Sequence, residues 1–129
     1  LAKLVAPHMT NGGSMVTMSY LGADEVVPHY GLMGPVKAAL ESLVRYMAFE
    51  LGPNGIRVHA VSPGPIPTRA ASGIESFDEL MQDAIARAPL RRLVTIDEVA
   101  NLTAFLCDDL SSGMTGQTIY IDGGYHAVA

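Results

Sequence analysis

"SMVTMSY", residues 14–20, decides the fold. The stretch is short, uncharged and dense in apolar and β-branched residues, which suits a strand covered on both faces, as in a parallel sheet. Working outward, "TNGGS" at 10–14 supplies the turn residues that end a short helical pattern over residues 1–9. On the other side, "LGADEVVPH" at 21–29 is polar, then apolar, and ends in a proline-containing turn.

The next strand-like run lies beyond a long helical pattern. From about 31 to 51 nearly every position is apolar, and Lys37, Glu41 and Arg45 form one polar stripe at helical spacing, so the helix is expected to be buried on most sides. "GPNG" at 52–55 breaks it, "IRVHAVS" at 56–62 reads as a second strand, and "PGPIPT" at 63–68 has too many prolines for regular structure. "SFDE" at 76–79 and "TIDE" at 95–98 are capping boxes. The first opens an amphipathic helix with Phe77, Leu80, Met81, Ala84, Ile85 and Ala88 on one face, stopped by Pro89. The second opens a helix whose Val99, Leu102, Phe105 and Leu106 face inward. "QTIYIDGG" at 117–124 is a third strand with its turn. Strands alternating with helices give an α/β fold with a mostly parallel sheet. Three strands make a thin sheet, and the first strand's pattern leaves its outer neighbour unaccounted for, so further strands outside this chain are expected. The opening "LAKLVAPHM", which lacks an initiator methionine, likewise reads as part of something larger.

Composition narrows the function. The 129 residues are 49% hydrophobic and 16% charged, enough for one domain with a real core. The net charge of −5 without a basic cluster argues against nucleic acid as a partner. No apolar run approaches the roughly 18 residues that span a bilayer, and no secretion signal opens the chain, so no membrane insertion and a cytoplasmic location are expected. Cys107, the only cysteine, is expected to pack as a small apolar residue. His8, His29, His59 and His126 lack the spacing of a zinc site, and no metal is expected.

Within "VVPHYGLMGPVKAAL", residues 26–40, Tyr30 precedes Lys37 by seven positions. If the helix includes Tyr30, that interval turns through about 700°, close to two full circles, and both side chains point to one side. A phenol can donate to an oxygen that gains negative charge, while a lysine nearby fixes hydroxyls or phosphates. The alternative is structural: Lys37 and Glu41 as a surface pair, with Tyr30 an aromatic at a helix start. Pro35 is harmless only within the first turn.

"SY" at 19–20, the Tyr30-to-Lys37 spacing, "LGPNGIRVHAVSPGPIPTRAASGI" at 51–74 and "PLRRLVTIDEVANLTAFLCDDLSSGMTGQTIYIDGG" at 89–124 resemble the C-terminal half of bacterial enoyl-acyl-carrier-protein reductases. These form the divergent branch of the short-chain dehydrogenase/reductase superfamily. The tail is common to many of its reductases, whereas the six-residue spacer and "GPIPTRAASGI" are more specific. The larger branch spaces its tyrosine and lysine by three residues.

The resemblance implies a Rossmann-like, doubly wound parallel sheet of which residues 1–129 supply the C-terminal part of a single domain, the glycine-rich N-terminal half lying outside the chain. It implies NADH-dependent reduction (NADPH being possible) of the 2,3 double bond of trans-2-enoyl thioesters on acyl carrier protein, in fatty acid synthesis, by a homotetramer that needs the missing half for activity. Tyr30 would donate to the thioester oxygen, Lys37 would hold the nicotinamide ribose, and Tyr20 would line the substrate side. In the loop Gly64, Pro65, Ile66 and Thr68, the isoleucine main chain would meet the nicotinamide carboxamide and the threonine the pyrophosphate. Pro63 and Pro67 depart from the small and basic residues of better-known members, which removes a basic contact at 67. Ala70, Ala71, Ile74, Phe77 and Met33 would wall the acyl chain. The alternatives are a catalytically silent binding module of the same fold and a reductase of ketones or other activated alkenes.

Overall fold

The computed structural model describes residues 1–68 and 76–128. A short helix, α1 (Ala2–Val5), runs into a single 3-10 turn, Ala6–His8, before β1 (Gly13–Met18). After the turn Leu21–Ala23 comes the long helix α2 (Met33–Leu51), then β2 (Ile56–Pro63), α3 (Phe77–Arg87), α4 (Ile96–Cys107) and β3 (Gln117–Ile121). The sheet has the order β1-β2-β3 and both pairings are parallel, with Gly13 opposite Ile56 and His59 opposite Gln117.

Alternation along β2 divides the core between the two faces. Ile56, Val58 and Ala60 point to α2 and pack with its Val44 and Ala48, joined by Met15 from β1. Arg57 points to the other face, where its guanidinium donates to the main-chain oxygens of Leu106 at 2.8 Å and Asp108 at 3.1 Å. It thereby satisfies carbonyls that the C-terminal end of α4 leaves open. Helices on both faces of a parallel sheet are the doubly wound arrangement that the sequence predicts.

Several expectations need correction. β1 is not covered on both faces: residues 14–17 are half-buried and Met18 is exposed, because among the described residues the strand forms one edge of the sheet. Nor is α2 buried on most sides: only Glu41, Val44 and Ala48 are buried, while Leu43, Tyr46 and Phe49 are exposed, since the helix presents a single face to the sheet. Pro63 belongs to β2, at its last position opposite Ile121, where irregular structure was expected. Phe105 and Cys107 are exposed; Leu106 alone fills the inward position at the end of α4. The capping box at 95–98 forms, with Glu98 N–H donating to Thr95 Oγ1 and Thr95 N–H to Glu98 Oε2. The one at 76–79 does not: Ser76 sits at φ 57°, a left-handed conformation in which its side chain makes no cap bond.

Candidate active site

In a parallel sheet all strands end at the same edge, and the residues singled out above gather there. Ser19 N–H donates to Val61 O at 2.7 Å and extends the β1–β2 ladder by one step. Gly64 N–H donates to Ile121 O at 3.0 Å and does the same between β2 and β3. Tyr20 and the loop 64–68 therefore leave the sheet side by side at its C-terminal edge.

Tyr30 reaches this edge from the approach to α2. It lies ahead of the helix, which begins at Met33, yet its carbonyl accepts from Gly34 N–H at 2.8 Å, the first i+4 bond of the helical ladder. Pro35 falls in the first turn, where its missing N–H costs nothing. The Tyr30 ring is buried and meets Tyr20 edge to face, with centroids 5.1 Å apart and planes at 67°. That geometry contributes about 0.5–1.5 kcal/mol beyond area burial. Gly22 makes the approach possible, since a Cβ there would stand 2.5 Å from Tyr30 Cδ1.

Lys37, on α2, donates from Nζ to Met18 O at 2.8 Å. An ammonium has three protons, so this bond fixes the side chain at the end of β1 and leaves donors for another oxygen. The alternative reading, a surface pair of Lys37 with Glu41, is not what the helix forms. Glu41 is 6% exposed and accepts a hydrogen bond from the Ser19 hydroxyl, itself 4% exposed. Two bonds from consecutive turns of α2 thus fasten residues 18 and 19, directly before Tyr20. Spacing treats Glu41 as one more polar stripe position and misses it. The available signal is a carboxylate four residues after Lys37 in an otherwise apolar helix.

Burial pushes the Tyr30 hydroxyl above its ordinary pKa. It raises Tyr20 further still, aided by the neighbouring Tyr125 and Tyr30. Both phenols are therefore protonated donors over the physiological range. The Tyr20 hydroxyl is buried and has no hydrogen-bond partner among the described residues. Such a group calls for a ligand atom or a solvent molecule.

In the loop, Gly64 and Pro65 are buried, Ile66 is half-buried and Thr68 is exposed, with Thr68 N–H donating to Ile66 O at 2.8 Å. Met33 is 40% exposed one turn beyond Tyr30. Phe77, half-buried, opens α3. Ala70, Ala71 and Ile74 lie outside the described residues. Beginning at Leu21, a cavity of about 340 Å³ opens between the 21–29 stretch and α3, where Val27, Pro28, Leu80 and Tyr125 line it together with charged residues that include Glu25, Asp83 and Arg87. Neither Met33 nor Phe77 lines it. Among the described residues no cluster of histidine, cysteine or carboxylate side chains could hold a metal ion.

A parallel sheet wound on both faces, carrying a tyrosine pair and a helix-borne lysine at its C-terminal edge, defines a partial Rossmann-like fold of the reductase kind. The chain belongs to the enoyl-(acyl carrier protein) reductase family, whose model matches residues 1–126. It is 47% identical over its full length to the NADH-dependent enoyl-[acyl-carrier-protein] reductase FabI of Escherichia coli, of which it covers 49%. The enoyl-acyl carrier protein reductase of Bacillus cereus, solved with NADP+ and indole naphthyridinone, superposes with a TM-score of 0.96 at 44% identity over 99% of this chain and 50% of that one. The Anaplasma phagocytophilum enzyme, solved with NAD, gives 0.93 at 48% identity over 99% of this chain and 49% of that one. The chain thus spans about half the length of the relatives it matches.

Proposed function

We infer that this chain is the C-terminal part of an enoyl-acyl-carrier-protein reductase, using NADH to saturate the 2,3 double bond of trans-2-enoyl thioesters in fatty acid synthesis. Catalysis would require the glycine-rich half that precedes this part in its relatives. The observation that carries the reading is the convergence at one sheet edge of the Tyr20–Tyr30 contact and the Lys37 anchor on Met18.

The residues suit a dinucleotide. Lys37 keeps donors for ribose hydroxyls, the Ile66 and Thr68 segment lies at the ligand-binding edge, and the buried Tyr20 hydroxyl lacks a partner among the described residues. When bound, the reduced nicotinamide supplies the hydride for the β-carbon. Charge would then develop on the thioester oxygen, the Tyr30 hydroxyl would donate to it, and a proton drawn from solvent would reach the α-carbon to complete the saturated thioester. Burial raises the pKa of that phenol, so it remains a donor while the charge forms. Tyr20 holds the Tyr30 ring by its edge and lines the substrate side. Gly64, Pro65, Ile66 and Thr68 position the nicotinamide end, with the Ile66 main chain at the carboxamide and Thr68 at the pyrophosphate.

The acyl chain runs from this edge past Leu21 into the cavity between 21–29 and α3, where Val27, Pro28 and Leu80 supply apolar surface. Met33 and Phe77 would also contact the acyl chain, as would Ala70, Ala71 and Ile74, which lie outside the described residues. The exposed apolar residues Leu43, Tyr46 and Phe49 of α2 support assembly into a homotetramer.

The test is NADH oxidation by the complete protein, measured separately with an enoyl and a 3-ketoacyl thioester and repeated with NADPH. Turnover of the enoyl substrate alone, reduced about 10²- to 10³-fold in Tyr30→Phe, is the expected result, the scale for removing one oxyanion donor. Ketoacyl turnover, or an unchanged rate in the variant, excludes the reading.

A further inference from the structure

The segment after β3 touches both walls of the cavity. Gly123 and Gly124, at φ 69° and 87°, reverse the chain after Asp122 and send it back beneath α3. A Cβ at Gly124 would stand 2.9 Å from Pro89 Cγ, so the reversal is packed tightly against the end of that helix. Tyr125 then enters the protein. Its ring is buried with Leu21, Ala84 and Ala88, and it forms part of the cavity lining.

Each wall receives its own phenol. Tyr125 donates to Asp83 Oδ2, on α3, at 2.6 Å. One turn further along that helix, Arg87 lies 5.6 Å over the Tyr125 ring and donates to Val128 O at 2.6 Å. Toward the opposite wall, Tyr120 donates to Asp24 Oδ2, beside Glu25 of the 21–29 stretch, at 2.5 Å. The Tyr120 ring is held in turn by His126, stacked at 4.1 Å with planes 12° apart. The His126 ring is fixed by Asp122, whose Oδ2 lies 2.9 Å from Nδ1.

We propose that residues 120–128 act as a clasp, in which Tyr120 and Tyr125 are positioning residues that hold the two walls of the cavity at a set separation and so fix the width open to an apolar chain. Neither phenol takes part in the chemistry. The hydrogen bonds run from β3 and the turn after it to two segments that otherwise share the buried cluster of Leu21, Ala84 and Ala88, so loss of either hydroxyl loosens one wall more than the other. The ligand class rests on the function proposed above; the clasp itself rests on geometry alone.

Two measurements on the complete protein separate these claims. Tyr125→Phe and Tyr120→Phe each remove one oxygen and keep the ring, and a urea midpoint for each variant shows that the fold persists. Hydrogen exchange read by mass spectrometry is expected to speed about tenfold in α3 for Tyr125→Phe and about tenfold in the 21–29 stretch for Tyr120→Phe, the effect of losing one hydrogen bond to a charged group. Unchanged exchange in both variants overturns the clasp. The second measurement is the ratio of KM for a dodecenoyl thioester to KM for a crotonyl thioester. It is expected to rise about fivefold in Tyr125→Phe, because ordering a loosened wall costs the longer chain more. A general loss of stability would move both constants together. A constant ratio despite faster exchange overturns control of width. If the protein oxidises NADH with neither enoyl thioester, the reductase reading fails while the exchange data still decide the clasp.

Discussion

Tyr20 meets Tyr30 edge to face, 5.1 Å between ring centroids, across the gap between the end of β1 and the start of α2. The contact sets the direction of the Tyr30 hydroxyl, and it depends on a residue that has no side chain. A Cβ on Gly22 would stand 2.5 Å from Tyr30 Cδ1 and 2.9 Å from Cε1. Gly22→Ala is therefore expected to displace the ring and lower turnover of the complete enzyme by about tenfold or more. Gly31→Ala, which meets nothing within 4 Å, is the matched control. Equal rates in the two variants would show that the ring position does not matter.

Lys37 combines an anchor on Met18 O with the donors left for a cofactor. Lys37→Ala is expected to weaken NADH binding by about tenfold to a hundredfold, as for a charge-assisted bond, when fluorescence titration is used to measure it. Affinity equal to that of the parent protein would remove Lys37 from the ribose.

Ser19 and Glu41 are a buried pair, and buried pairs respond asymmetrically to substitution. Ser19→Ala leaves a carboxylate without its donor and is expected to cost about 1–3 kcal/mol in urea unfolding. Adding Glu41→Met to that variant removes the orphaned charge and is expected to restore most of the loss. A double variant as unstable as the sum of the two single ones would contradict the pairing.

His59 is wholly buried in β2, on the face that also carries Arg57. Burial, reinforced by the Arg57 charge and opposed by the main chain at Met114, lowers its pKa from the ordinary 6.5. The unfolded chain then takes up a proton at a higher pH than the folded one, so stability is complete above about pH 6.5 and falls as pH drops from there to the folded pKa. Below that value both states hold the proton, and this residue contributes no further loss. Thermal unfolding between pH 8 and pH 5 is expected to show the decline in the parent protein and a shallower one in His59→Phe. Parallel curves would place the sensitivity elsewhere.

The two capping boxes predict opposite outcomes from the same sequence signal. Thr95→Ala removes the hydroxyl that accepts from Glu98 N–H at the start of α4 and is expected to cost about 1 kcal/mol. Ser76→Gly removes no cap bond and relieves a left-handed backbone at φ 57°, so thermal unfolding is expected to show no loss or a small gain.

That contrast marks where the sequence was legible. Runs such as "IRVHAVS" and "QTIYIDGG" report their own structure, because short stretches rich in β-branched residues and bounded by glycine-containing turns favour a strand over a helix. The Tyr30-to-Lys37 interval likewise carried the geometry of a helix start, although Tyr30 itself proved to lie one turn ahead of α2. What stayed hidden depends on distant partners. Glu41 looks like a surface carboxylate until Ser19 is brought to it from β1, and Phe105 looks like a core residue until α4 turns it outward. Asp24 and Asp83 are ordinary acidic residues in the sequence and become the attachment points of Tyr120 and Tyr125 only when the fold unites them.

The strand pairings have a consequence for the order in which the molecule is made. Gly13 finds Ile56, and His59 finds Gln117, only after long intervening stretches have been synthesised. Parallel ladders of this kind offer no local nucleus and repay their loop-closure entropy late. A nascent chain therefore carries Tyr20 and Tyr30 well before β3 and the residues after it arrive, and both walls of the cavity become fixed only once residues 120–128 have been made.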